Sequence, residues 1–125
     1  MANRGLFRSF MRPGQEVYLI RYKPGVYRDG IYHGQREFRR RLAPGSYSVQ
    51  PLSGDDVSAM PDGLTRVTSS LKVFAEDKLI PGDDKRGIQA DQLEIDGVLY
   101  SVDIVQDFNF GRLAHFEAIV VKVTT

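Results

Sequence analysis

The side chains best suited to catalysis are few in this sequence and stand far apart. Histidine, the side chain that most readily transfers protons near neutral pH, occurs as His33 and His115, and neither belongs to a His-Glu-x-x-His zinc pattern. The acidic pairs at 55–56 and 83–84 lack the ligand spacing of a calcium loop. With no cysteine in the chain, thiolate ligands, cysteine nucleophiles and disulfides are excluded. We therefore expect no catalytic residues, no metal site and no cofactor.

A run of arginines at 36–41 is the segment that most clearly predicts a binding surface. Arginine binds phosphates and carboxylates alike, so this run could contact either nucleic acid or an acidic protein surface, and we prefer protein. The alternative without a ligand is an edge strand that is kept soluble by its charge. Read as a strand, the run directs Glu37, Arg39 and Arg41 to one side, and Arg36, Phe38, Arg40 and Leu42 to the other.

Two further segments are predicted to be exposed: an N-terminal arm at 1–15 and a loop at 80–90. Both are rich in charged or turn-forming residues that cannot contribute to a core, so we expect them to become ordered against neighbouring subunits. The candidate contact residues in these segments are Arg4, Arg8, Arg12, Asp83, Asp84, Lys85 and Arg86.

A β-hairpin over 93–104 is the clearest element that could position such surfaces. Asp96-Gly97 lies between two alternating runs and favours a type I′ turn, because both turn residues need positive φ. This turn places Ile95 opposite Val98 and directs Leu99 outward. The residues predicted to face the core are Leu93, Ile95, Val98, Tyr100, Val102 and Ile104.

The remaining alternating segments predict an all-β fold. The final strand, 115–123, is apolar on both faces, so we expect neighbours to cover both. Strands are also expected near 16–22, 26–32, 36–42, 46–52 and 66–75, the last with Val67, Leu71, Val73 and Ala75 inward, and a helical turn is expected at 53–60. About six or seven short strands predict a small β-barrel or β-sandwich, and 125 residues suit one domain, 1–125.

Charge is distributed unevenly along the chain. Residues 1–50 contain ten Lys or Arg and three Asp or Glu, a net charge of +7, whereas residues 51–125 contain seven and thirteen, a net charge of −6. If the two halves form different surfaces, identical copies would attract one another head to tail. A fold that interleaves distant strands would instead mix the charges.

The order of these segments resembles the head–tail joining proteins of tailed bacteriophages, which include head-closure (stopper) and collar subunits. The likeness covers roughly residues 46–123. It is carried by Val49-Gln50-Pro51, Ser53-Gly54-Asp55-Asp56, Met60-Pro61-Asp62-Gly63, Lys72-Val73-Phe74, the pattern Asp91-x-Leu93-x-Ile95-x-Gly97-x-x-Tyr100-x-Val102, and a closing apolar strand.

The resemblance implies a virion protein with no catalysis. Such a subunit would assemble in the host cytoplasm and form a ring of six or twelve copies in the neck, between the portal or adaptor protein and the tail tube or terminator protein. The genome would pass through that ring with non-specific contact at most. The sequence predicts no membrane span and no small-molecule substrate.

Other functions remain open at this point. A tail-terminator or tail-completion subunit would share most of these features. The arginine run alone would also suit a free oligonucleotide-binding β-barrel. A hydrolase that used the acidic loops is a further alternative, but it lacks a recognisable nucleophile and base.

Overall fold

Nine strands make up most of the described chain. The structure is a computed structural model, and it describes residues 15–52, 70–108 and 115–123. The strands are β1 (Val17–Tyr22), β2 (Val26–Arg28), β3 (Ile31–His33), β4 (Arg36–Arg41), β5 (Tyr47–Gln50), β6 (Ser70–Ala75), β7 (Gln92–Ile95), β8 (Val98–Phe108) and β9 (His115–Lys122). Among these described residues, a 3₁₀ turn spans Asp84–Arg86.

Seven of the strands form one curled antiparallel sheet, and β2 and β3 form a small second sheet. The order in the large sheet is β4-β1-β7-β8-β9-β6-β5, and its curvature makes it half of a barrel. The prediction of an all-β fold is confirmed. β4 and β5 occupy the two edges of the sheet.

Two tight turns of the same kind make the hairpins. Asp96 and Gly97 have φ values of 50° and 83°, as a type I′ turn requires, and Ile95 pairs with Val98 as predicted. Asp29 and Gly30 repeat the pattern between β2 and β3, with φ values of 54° and 76°. The sequence predicts strand pieces at 26–32 but not the hairpin that they form.

The predicted core face of β8 is wrong at Ile104 because the strand contains a β-bulge. Val102 pairs with Val120, but Ile104 pairs with the adjacent Ile119, so Asp103 is an extra residue in the ladder. An extra residue shifts the alternation of the side chains by one. Ile104 is consequently 36% exposed, and Val105 packs against the core instead.

The other predicted core residues of the hairpin are buried or half-buried, except for Val98 next to the turn. Leu93, Ile95 and Val102 are buried, and Tyr100 is half-buried and packs against the core. Val98 is 37% exposed because it directly follows the turn at the end of the sheet.

The core lies on one face of the large sheet and draws on both halves of the chain. It contains Val17, Leu19, Leu42, Tyr47, Val73, Ala75, Leu79, Leu93, Ile95, Val102, Ala118 and Val120. Strand β9, between β8 and β6, buries three consecutive residues, Ala118 to Val120, so both of its faces are covered as predicted. The inward positions predicted at 71, 73 and 75 are confirmed, whereas position 67 and the helical turn at 53–60 lie outside the described residues.

The loop at 80–90 is exposed over 81–82 and 84–86, but contacts within the chain hold it in place. The backbone N–H of Gly25 donates to the carbonyl of Gly87 at 2.8 Å, and the hydroxyl of Tyr27 donates to the side chain of Gln89 at 2.6 Å. Gly87 has a φ of 70°, and a Cβ there would lie 1.9 Å from the Gly25 carbonyl oxygen, so glycine is required. Neighbouring copies are therefore not needed to give this loop a defined path.

Candidate functional site

The arginine run forms strand β4, at one edge of the large sheet. β4 pairs with β1 on one side, and on its other side no strand of the described residues pairs with it. Phe38 packs against the core and Leu42 is buried, so Arg40 shares the inner face, while Arg39 and Arg41 lie on the outer face. Arginines therefore line both sides of the ribbon, as the sequence predicts.

Arg39 is held by two neighbours on the outer face of the sheet. Its guanidinium donates to Glu94 of β7 at 2.9 Å and lies over the ring of Tyr18 of β1, 3.9 Å from the centroid. The hydrogen bond to Glu94 raises the pKa of Arg39, so the residue remains a cation at any physiological pH. The carboxylate offsets its charge, and the ring fixes its orientation.

Arg40 and Arg41 also have acidic neighbours. Arg40 donates to Asp77 at 3.3 Å and lies over the Phe38 ring at 5.2 Å. Arg41 lies 4.0 Å from the carboxylate of Glu16. Each of these pairs is at least half exposed on the arginine side and is worth at most about 1 kcal/mol.

Arg36, at the start of β4, differs from the other three arginines. It is exposed, and within ranges 15–52, 70–108 and 115–123 no ion pair to it is found. Its guanidinium is therefore the member of the run most available to an external carboxylate or phosphate.

These pairs join the basic first half of the chain to the acidic second half. Glu94 and Asp77 belong to the second half and pair with Arg39 and Arg40 of the first. The charges are thus mixed by the fold across this edge. A uniformly basic face that attracts nucleic acid is correspondingly less favoured.

A partly buried ion pair between Arg21 and Asp91 lies next to β4. Asp91 is 1% exposed and accepts hydrogen bonds from Arg21 Nε at 3.1 Å and Nη2 at 2.8 Å, and from the backbone N–H of Ile80 at 2.9 Å. The hydrogen bond to Asp91 raises the pKa of Arg21. The same guanidinium lies 5.3 Å from the centroid of the Phe38 ring. Asp91 therefore fixes the end of the 80–90 loop to β1 and, through Arg21, to β4.

The β2–β3 hairpin presents one face to the sheet and the other to solvent. Tyr27 and Tyr32 are half-buried, and the ring of Tyr32 packs edge-on against Tyr22 of β1 at 5.7 Å. The hydroxyl of Tyr32 also donates to the carbonyl of Lys23. The opposite face carries Val26, Arg28, Ile31 and His33, all exposed.

The other predicted contact residues lie apart from β4 or outside the described chain. Asp84, Lys85 and Arg86 form the exposed 3₁₀ turn beside Gly25, and Asp83 precedes it in a bridge with Ile88. Arg4, Arg8 and Arg12 lie outside the described residues. The structure therefore brings the four β4 arginines together, and the 80–90 loop forms a separate charged surface near the β2–β3 hairpin.

Two open clefts are found among the described residues. One, of about 400 Å³, is at the turn end of the sheet. The other, of about 170 Å³, adjoins β4. Among the described residues, the first is lined by Gln15, Val49, Leu71, Ile95, Asp96, Val98 and Tyr100, and the second by Arg40, Arg41, Leu42, Ala43 and Asp77.

Neither cleft brings a histidine together with a carboxylate. His33 is on the exposed face of β3, and His115 is on β9, where its ring lies 6.0 Å from that of Phe74. Within the described ranges, no three side chains of the metal-binding types are grouped. In the same ranges, no helix has the length and apolar composition needed to cross a membrane.

Sequence reasoning missed the acidic and aromatic partners of the arginine run. Glu94 lies 55 positions from Arg39, and Asp77 lies 37 positions from Arg40, so no local spacing could have indicated either pair. Tyr18 did carry a signal, because it alternates with the buried Val17 and Leu19 and therefore had to face outward.

Comparison of the chain with protein-family models, with curated proteins and with solved structures finds no match. Its function is therefore argued from its own residues.

Proposed function

We propose that this chain is a structural, ring-forming subunit of the connector between the head and tail of a bacteriophage, of the head-closure or collar type. The observation that carries the proposal is the open sheet. Within the described residues, seven strands curl through half a barrel and end at two edge strands, of which β4 bears four arginines. An open edge can be continued by a strand of another chain, which is how a small β-subunit can form an assembly.

The resemblance over residues 46–123 supplies the biological context of the proposal. In that context the copies form a ring of six or twelve, assembled in the host cytoplasm and located in the virion neck. The partners are the portal or adaptor protein on one side and the tail tube or terminator protein on the other. The proposed role is mechanical, with no catalysis, cofactor or small-molecule substrate.

The pairing of the arginines favours protein contact over nucleic acid at β4. Arg39 and Arg40 already contact carboxylates of the same chain, at 2.9 and 3.3 Å, so this edge is adapted to acidic side chains. Genomic DNA in the channel would then make non-specific contact at most, which weakens steeply with salt.

The first experiment is native mass spectrometry of the full chain over a range of concentrations, followed by electron microscopy of the species found. Closed rings of six or twelve copies are expected. A protein that stays monomeric at every concentration, and is absent from virions, would contradict the proposal.

A pull-down with purified portal and tail-tube proteins distinguishes the connector from a tail-terminator subunit. Binding on the portal side is expected for head closure, and binding to the tail tube alone would indicate the terminator. A single-stranded DNA titration at low salt tests the oligonucleotide alternative. Binding that is lost when Arg36, Arg39, Arg40 and Arg41 become alanine would favour that alternative over the ring.

A further inference from the structure

The most exposed large apolar side chains of the described residues lie on the β2–β3 hairpin. Ile31 is 62% exposed and Val26 is 54% exposed, whereas Val98 and Ile104 follow at 37% and 36%. Ile31 and Val26 share the face of the hairpin that is turned away from the large sheet. The opposite face is anchored, because the ring of Tyr32 packs against β1. The hairpin therefore presents two aliphatic side chains on a surface of defined shape.

Two basic residues complete this exposed face. Arg28 lies opposite Ile31 in the hairpin, and His33 lies opposite Val26. The arginines at 39–41 each have a carboxylate within 4.0 Å, but among the described residues no ion pair to Arg28 is found. The face thus combines aliphatic groups with a guanidinium that is available to a carboxylate of another molecule.

The cleft of about 400 Å³ at the turn end of the sheet, the turn-end cleft, has the complementary character. Its lining includes the apolar residues Val49, Leu71, Ile95, Val98 and Tyr100, together with Gln15 and Asp96.

Asp96 gives the turn-end cleft a negative charge on its exposed side. Its carboxylate accepts a hydrogen bond from the backbone N–H of Glu16 at 3.1 Å, and a carboxylate can accept several more. Glu16 is also exposed, but it shares its charge with Arg41 at 4.0 Å. Asp96 is therefore the carboxylate that we expect an incoming guanidinium to contact.

The hairpin and the turn-end cleft lie at opposite ends of β1. The hairpin follows Tyr22, the last residue of β1, and Tyr32 packs against that residue. The cleft is lined by Gln15, which precedes β1, and by Ile95, which pairs with Val17 at its start. The six residues of β1 span about 20 Å, whereas the three-residue strands of the hairpin span about 10 Å. One copy can therefore offer its hairpin to one neighbour and its cleft to another.

We propose that the exposed face of the β2–β3 hairpin in one copy docks on the turn-end cleft of the next copy. Ile31 enters the apolar part of the cleft, and Arg28 contacts Asp96. This inference rests on the proposed ring, but it does not require that sheet edges pair. Because the hairpin and the cleft are different surfaces, the contact is head-to-tail and closes into a ring when the rotation permits.

Contacts between two copies of the same surface fit the charges less well. Two hairpin faces would set Arg28 against Arg28, and two clefts would set Asp96 against Asp96. Residues 23–36 contain three Lys or Arg and one acid, Asp29 in the turn, so this segment has a net charge of +2. The hairpin therefore remains attracted to the acidic side of the cleft.

Cysteine cross-linking tests the contact directly, because the natural chain has no cysteine. Ile31→Cys is mixed with Val98→Cys at the cleft, or with Ile104→Cys, a matched control on the same strand with nearly the same exposure. Mild oxidation with copper–phenanthroline is expected to give a mixed dimer with Val98→Cys and none with Ile104→Cys. A double variant, Ile31→Cys with Val98→Cys, should give a ladder of cross-linked species up to the full ring.

Charge reversal, followed by native mass spectrometry over a range of concentrations, provides an independent readout. Arg28→Glu is expected to weaken association at least about tenfold, since like charges then meet at the cleft. Asp96→Asn should also weaken it, while asparagine keeps the positive φ of the turn and can still accept the N–H of Glu16.

Arg86→Glu is the matched control for Arg28→Glu. Arg86 is exposed and belongs to the loop that contacts the opposite, tyrosine-bearing face of the hairpin, where Tyr27 donates to Gln89. Among the described residues neither arginine has an ion pair, so both variants should keep the fold. Association of Arg86→Glu should match that of the natural chain.

The outcomes separate this inference from the function on which it rests. Rings that form normally in Arg28→Glu and without the 31–98 cross-link would overturn the hairpin contact and leave the ring intact. Preferential linkage of Ile31→Cys to Ile104→Cys would place the contact outside the cleft and overturn the assignment. Normal rings in which Arg28→Glu abolishes only portal binding would assign the hairpin to a different protein and also overturn it. Monomers at every concentration would overturn both proposals.

Discussion

At the scale of single residues, Asp91 is the point where the 80–90 loop meets β1 and β7. Its buried carboxylate accepts hydrogen bonds from Arg21 and from the backbone N–H of Ile80. Such a carboxylate fixes the path of a loop that has few apolar contacts of its own. The surface pairs of β4 lack this property, because water can replace either partner.

Replacing Asp91 by alanine is expected to lower the free energy of unfolding by about 3–5 kcal/mol. The change leaves the guanidinium of Arg21 and the N–H of Ile80 without their acceptor in a largely buried place. Urea titration followed by circular dichroism measures the loss. Arg40→Ala, which breaks the exposed pair with Asp77, is the control and should cost about 1 kcal/mol or less. Equal losses in the two variants would show that Asp91 has no special role.

Tyr47 makes the stability of the fold depend on pH in the alkaline range. Burial raises the pKa of its hydroxyl, an effect that Arg41 opposes and Glu16 reinforces. A raised folded-state pKa means that stability is fully present below the unfolded-state value, about 10, and is lost as the pH rises through the folded-state value. We expect Tyr47→Phe to lower the free energy of unfolding by about 1 kcal/mol at neutral pH, because the hydrogen bond to the Gln15 carbonyl is removed. Above pH 10, the free energy of unfolding of this variant should decrease less steeply with pH than that of the natural chain. Urea titrations from pH 7 to 11 test this expectation, and parallel pH profiles for the two proteins would contradict it.

At the scale of elements, turns and strands could be predicted from local sequence, whereas the pairing of distant strands could not. Asp96-Gly97 fixed its hairpin because few residue pairs adopt two positive φ values, and Ile95 met Val98 as a result. The bulge at Asp103 gave no local signal, since it depends on how β8 matches β9. The arginine run was located correctly, but its carboxylate partners lie on strands that only the complete fold brings near.

Because of the bulge, we expect a substitution at Val105 to be more destabilising than one at Ile104, whereas uninterrupted alternation would predict the reverse. Val105→Thr places a hydroxyl against the core and is expected to cost about 1–2 kcal/mol. Ile104→Thr removes more apolar atoms, but from a side chain that is 36% exposed, and should cost less than half as much. Chemical denaturation of both variants gives the comparison. A larger loss at Ile104 would restore the uninterrupted alternation and exclude the bulge.

The turns at Gly97 and Gly30 allow a matched test of whether each hairpin unfolds together with the rest of the protein. Gly97 and Gly30 have φ values of 83° and 76°, and nothing lies within 4 Å of a Cβ at either position. Alanine should therefore strain both turns equally, by about 1–2 kcal/mol. We expect Gly97→Ala to lower global stability by this amount. Gly30→Ala should lower it less, because a two-stranded sheet can open locally without unfolding the rest.

Denaturation combined with amide hydrogen exchange distinguishes these two effects. In Gly30→Ala, faster exchange is expected in β2 and β3, with little change in the midpoint of global unfolding. Equal shifts of the midpoint in both variants would mean that the β2–β3 hairpin unfolds together with the large sheet.

At the scale of the whole molecule, the sheet cannot be divided at the middle of the sequence. β1 from the first half lies between β4 and the second-half strand β7, and β5 pairs with β6. The ion pairs Arg39–Glu94, Arg40–Asp77 and Arg21–Asp91 cross the same division. Part of the opposite charge on the two halves is therefore paired within one chain, and only the unpaired charges are available to neighbouring molecules.

Separate fragments 1–52 and 53–125 test this integration. Fragment 1–52 lacks β7, the second partner of β1, and fragment 53–125 lacks β1 and β5, the strands that flank its own four, so each is expected to lack a cooperative unfolding transition when alone. Mixed together, they should recover the near-ultraviolet tyrosine signal of the intact chain. Their net charges of +7 and −6 should speed association, so raising the salt concentration should slow it. A fragment that unfolds cooperatively alone would mean that this half folds independently of the other. Association that salt leaves unchanged would mean that the two halves are held together by apolar contact without electrostatic attraction.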